Sequence, residues 1–237
     1  MSLLSAVMLV SIFGVASAQQ SNEKVIYKAE MKSEKELHKD ALEGKSDLDL
    51  KNINFEVLDD KGKPIDDAIV KKYFTAQKLK EIQNDENTTT STYVIYAIQN
   101  PIKDADSNPG LNFTEEVWMW ADVINVNGVP TWAKGTRYEA KWTAKDEAGL
   151  VINNGTFTAM ATGTAKSTLK PISESSPSTY YPPTWGQVYV KTPTWDYVKV
   201  SQPLNYCGAT ITTNYSVRGS AGKIYSQVGL GVMPKPW

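Results

Sequence analysis

From Thr92 onward the chain keeps switching between apolar and polar residues one position at a time. Segments with this alternation fall at 92–99, 115–125, 136–144, 151–162, 187–191, 196–201, 209–218 and 223–232. Successive side chains of a strand point to opposite faces, whereas a helix needs apolar spacings of three and four. The pattern therefore admits little besides strands, each half-buried on a shared core. Gly, Pro and Asn fall between the segments, as antiparallel connections require. The expected fold class is mainly β: an antiparallel β-sandwich over residues 87–237, with a charged α+β portion over 19–86 before it. The stretch "PISESSPSTYYPP" breaks the series and reads as an exposed connection.

The charged portion has its own signals. Ser33 and Glu36 are spaced as a capping box and Gly44 is a stop, which predicts a helix over 34–43. Ile53, Phe55 and Val57 alternate with polar residues and predict a strand. Ile69, Tyr73, Ala76 and Leu79 recur at helical spacing and predict a second helix. The polar run "NDENTTTST", 84–92, reads as a boundary or long loop.

Residues 1–18, "MSLLSAVMLVSIFGVASA", combine an apolar run with a small-x-small ending, the features of a signal peptide. The run is shorter than the roughly 20 residues of a membrane-spanning helix. The expected location is thus secreted or periplasmic. One cysteine, Cys207, allows no internal disulfide, which suits a bacterial exported protein better than a small eukaryotic secreted domain. A net charge of −1, with both signs mixed along the chain, offers no footprint for nucleic acid and no reason to expect a membrane partner. His38 is the only histidine and reads as a solvated helix residue, so a Ser-His-Asp triad, a Cys-His pair or a multi-histidine zinc site would have to be built around that one ring, which argues against all three. The oligomeric state is left open.

Seven tryptophans and twelve tyrosines make the chain rich in aromatics, and Pro-Thr-Trp occurs three times, at 130–132, 183–185 and 193–195. Alternation splits "EEVWMWADV" into an aliphatic face, Val117 to Val123, and a face of Glu116, Trp118, Trp120 and Asp122. By the same rule Val188 and Val190 oppose Tyr189 and Lys191, and Val198 and Val200 oppose Trp195, Tyr197 and Lys199. Trp142, with Tyr138 and Ala140, belongs inside. Flat rings stack on the apolar faces of sugars while polar neighbours take the hydroxyls. The leading expectation is a noncatalytic binder of a glycan or cell-surface polymer through Trp118, Trp120, Trp132, Trp185, Trp195 and Tyr197. The competing account of these rings is structural, with Trp118 and Trp120 covered by other parts of the chain.

Two further classes stay open. A glycoside hydrolase would use paired carboxylates, with Glu116 beside the indoles as one member and Asp122, Glu139 and Asp196 as candidates for the other, Asp122 standing about 20 Å along the same strand, too far to pair with Glu116. A membrane-active β protein would use the Thr-rich alternation of "NNGTFTAMATGTAKST". Separately, "DADSNPGLNFTE" resembles the calcium loop of EF-hand proteins over twelve residues. Asp104, Asp106, Asn108 and Glu115 are its candidate ligands, although Pro109 stands where that loop has glycine. No cofactor is expected beyond such a calcium ion.

Overall fold

The computed structural model describes residues 24–67, 70–101, 113–144, 150–217 and 220–231. The leader at 1–18 and the candidate calcium ligands Asp104, Asp106 and Asn108 lie outside these residues. Among them the chain is mainly β, with one α-helix and two antiparallel sheets. The first sheet runs in the order β1 (Lys24–Lys28), β3 (Val70–Gln83), β4 (Thr88–Pro101), β5 (Phe113–Val126), β6 (Val129–Ala144) and β9 (Val188–Lys191). The second runs β2 (Ile53–Leu58), β11 (Ser220–Gly231), β10 (Tyr206–Val217), β7 (Leu150–Thr164) and β8 (Pro171–Tyr180). Residues 19–86 thus contribute β1 and β3 to one sheet and β2 to the other.

Local chemistry explains the long hairpins. Asn127 and Gly128 both have positive φ, 53° and 75°, as the two-residue turn that best matches strand twist requires. That turn lets β6 begin at Val129, so the first Pro-Thr-Trp lies inside a strand. Pro130 is tolerated there because Thr131 is an extra residue in the β5–β6 register, a bulge beside the turn. A second bulge at Thr136 shifts the alternation of β6, so that Tyr138, Ala140 and Trp142 face inward and Arg137, Glu139 and Lys141 outward.

One core is shared by both sheets: Ile95, Val117, Met119 and Trp142 from the first pack with Phe157, Cys207, Ile211 and Val228 from the second. Trp142 is fully buried, and its indole N–H crosses to the Thr213 hydroxyl at 2.8 Å, which removes the cost of an unpaired donor. Burial pushes the thiol of Cys207, on β10, up to about 12. Val198 bridges the sheets at one corner, pairing with Ala133 of β6 and with Ala165 just past β7.

Three local expectations are overturned. Residues 70–83 are not a helix: β3 pairs with β4 from Val70 to Gln83, and thirteen rungs of cross-strand bonding outweigh the helical spacing of Tyr73, Ala76 and Leu79. The 84–92 run is not a long loop: residues 84–87 are the tight turn of that hairpin, with Asn84 N–H bonding to Thr88 O at 2.9 Å, and Thr88 to Thr92 already belong to β4. "PISESSPSTY" is β8, an exposed edge strand. The helix α1 (Glu34–Leu42) does form, with the reciprocal Ser33–Glu36 capping box in place.

Candidate functional site

The outer face of the first sheet, away from the shared core, gathers the aromatic and charged side chains of β4, β5 and β6. Helix α1 lies over one end of it, because Leu37 and Ala41 are the buried positions of an otherwise charged helix. Beneath Leu37 sit Val94, Tyr96, Ile98 and Trp118, a second apolar cluster with Trp120 at its margin. Trp118 is therefore buried, only 4 % exposed, with its ring 5.2 Å from that of Tyr96.

Further along the same face three aromatics stay half-exposed, each edged by a cation. The Arg137 guanidinium is 5.3 Å from the Trp120 ring, the Lys134 ammonium 5.8 Å from Tyr197, and the Lys199 ammonium 5.9 Å from Trp132. Val198 pairing with Ala133 causes the last two contacts: with both residues turned inward, Tyr197 and Lys199 must point outward beside Lys134 and Trp132. Trp132 stands opposite Ile124, four residues from Trp120 on β5, about 13 Å along the strand. Asp122, held by the Thr92 hydroxyl at 2.6 Å, and Glu139, held by Arg137, supply acceptors between them. Burial, then the charges of Asp122 and Asp196, pushes the Tyr197 phenol up to about 12.

Trp185 and Trp195 are elsewhere. Both are half-buried and pack against the shared core, and Trp185 lines a small depression with Ile152 and Pro183. The Pro-Thr-Trp copies thus serve different surfaces. The face assignment of β9 is also reversed: Val188 and Val190 are 43 % and 47 % exposed, while Tyr189 meets Trp142 edge-on with ring centres 5.4 Å apart and Lys191 bonds to Ser178. An aromatic that fills the gap beside Trp142 and Tyr180 buries more apolar surface than a valine would.

Beneath the N-terminal end of α1 the same face holds a polar cleft of about 520 Å³ lined by Glu34, His38, Tyr96, Asn100 and Glu116. Glu116 is buried and accepts from the Tyr96 hydroxyl at 3.0 Å. Lys141 reaches Glu116 at 3.0 Å and Glu34 at 2.8 Å. Burial disfavours the Lys141 ammonium, but its two carboxylate partners more than offset this and raise its pKa. His38 is half-buried and not fully solvated, with Nδ1 3.3 Å from the Tyr96 oxygen. Since that oxygen gives its own proton to Glu116, the imidazole Nδ1–H is the donor to it. Sequence reasoning found Glu116 by its face but missed Glu34, Tyr96 and Lys141. Their contacts span up to 107 positions, and no local pattern marks them.

Glu115, one residue earlier, turns to the opposite face. It is 1 % exposed in the shared core, where Thr213 and Ser226 donate to its two oxygens. Among the described residues no group of three or more His, Cys, Asp or Glu is placed to hold a metal. No model of a known protein family, no curated protein and no solved structure matches the chain.

Proposed function

We propose that this chain is an exported, noncatalytic binding protein whose two sheets form a sandwich, and that it takes a glycan or similar cell-surface polymer along the outer face of the first sheet. The observation that carries the reading is the strip of Trp120, Trp132 and Tyr197: half-exposed rings on one face, spaced over two or three sugar lengths and interleaved with hydrogen-bonding charges. Trp118 supports the strip from beneath α1. The leader-like residues 1–18 support export, and a single cysteine suits a bacterial exported protein better than a small eukaryotic secreted domain.

The test is tryptophan fluorescence with acrylamide quenching across a panel of soluble glycans. One glycan should shield the indoles, and Trp120→Ala and Trp132→Ala should each weaken its binding by about tenfold. Trp185→Ala should leave it unchanged. If no glycan shields any indole, the reading is wrong.

Glycoside cleavage is the second reading, favoured by one observation: Glu34 and Glu116 approach the same ammonium, which keeps their oxygens within about 6 Å, a separation glycosidase carboxylates use. Lys141, however, fills the space between them, where the glycosidic oxygen would have to lie. Release of reducing sugar that disappears in Glu116→Gln would establish catalysis; its absence on every glycan that binds would leave binding alone.

A further inference from the structure

A separate cavity of about 520 Å³ opens at one end of the shared core, where the β5–β6 turn, the start of β2 and the end of β11 meet. Its wall is apolar: Leu48, Ile53, Val123, Val200 and Leu230. Val123 and Leu230 are at most 3 % exposed and form the inner wall, while Val129, 57 % exposed, stands at the rim.

The polar groups are few and lie toward β2. Lys51, Asn52 and Asn54 come from the single 3-10 turn and strand that follow Asp49, and Ser201 faces them. Asp49 is occupied in capping that turn through the Lys51 backbone N–H at 3.0 Å. The Lys51 ammonium makes no ion pair among the described residues. An apolar wall with one cation and a few amide and hydroxyl groups on one side is the lining expected around an amphiphile. At roughly 30 Å³ per non-hydrogen atom, the share a water takes in its liquid, the space holds about seventeen such atoms. That is room for one medium-length chain.

We propose that this end cavity binds a single-chain amphiphile with an anionic head, the class of a free medium-chain fatty acid, with the chain against Val123 and Leu230 and the carboxylate toward Lys51. The cavity communicates with the core and not with the outer aromatic strip, so the proposal stands apart from glycan binding.

Titration calorimetry of the purified protein with decanoate, decanol and decyltrimethylammonium tests it. Decanoate should bind at one site, more tightly than decanol, and the cationic amphiphile most weakly. The heat capacity change should be negative, as burial of a chain demands. Lys51→Glu, at an exposed position, should weaken decanoate roughly fivefold or more and leave decanol unchanged. Val200→Trp should block both at the mouth. Absence of saturable decanoate binding, or equal binding of the cationic amphiphile, overturns the proposal. So does decanoate affinity that Lys51→Glu leaves intact, a result readable even if Val200→Trp fails to fold.

Discussion

A carboxylic acid between two sheets, with hydroxyls and no cation for company, titrates far from its usual range. Burial raises Glu115 from 4.5 to about 7, and the hydrogen bonds from Ser226 and Thr213 only partly counter it. Between these two pH values the unfolded chain has released the proton and the folded chain has kept it, so stability falls as pH rises and levels off above about 7. The loss is on the order of 3 kcal/mol. Glu115→Gln keeps the shape and removes the titration. Urea unfolding at pH 5 and pH 8 should therefore show a smaller pH difference in the variant, and identical slopes would refute the assignment. Gln99, the register partner of Glu115 on β4, has a buried Oε1 without a partner among the described residues, an acceptor on the neighbouring strand. The placement of Glu115 was legible, since alternation puts it with Val117 and Met119. The loop pattern at 104–115 gave the same residue a different role, that of a calcium ligand.

At the scale of elements, α1 shows how a charged segment acts as a lid over an aromatic face. Leu37, fully buried, is the contact that holds it there. Leu37→Ala should cost about 2–5 kcal/mol and shift tryptophan emission to the red as water reaches Trp118. A loss below about 1 kcal/mol, with unchanged emission, would mean the helix is held by its ion pairs instead. The capping box made this helix readable in advance, because its signal is complete within four residues. β3 was not readable: Tyr73, Phe74 and Thr75 favour strands, yet the helical spacing of Tyr73, Ala76 and Leu79 mimics the other period, and only the partner strand β4 decides. β9 failed for a related reason. Four residues carry too little pattern to say which face is inward, and the void beside Trp142 makes the choice.

At the scale of the molecule, the joint between the sheets centres on Trp142. Gly155, the register partner of Thr213, lies directly under the indole: a Cβ there would come within 2.7 Å of Trp142 Cζ2. Gly155→Ala should lower stability by about 1–3 kcal/mol through overpacking, read by thermal unfolding. In a Trp142→Phe background the same change should cost less, since the shorter ring makes room, whereas equal costs in both backgrounds would locate the strain elsewhere. None of this pairing could be read from one chain. The strand inventory follows from alternation, but which sheet each strand joins depends on contacts between residues as distant as Trp142 and Thr213. Three of the residues that line the polar cleft, Glu34, Lys35 and His38, likewise meet the others only because α1 docks on the first sheet.

Cys207 sits inside that joint, in a central strand with neighbours on both sides. Its sulfur is shut off from solvent and held as a neutral thiol, so no oxidant or alkylating reagent can reach it while the sheets remain closed. The chain therefore carries a built-in clock: with a thiol-reactive dye in enough excess to outrun reclosing, the pace at which it marks the native protein is the pace at which the strands around Cys207 open.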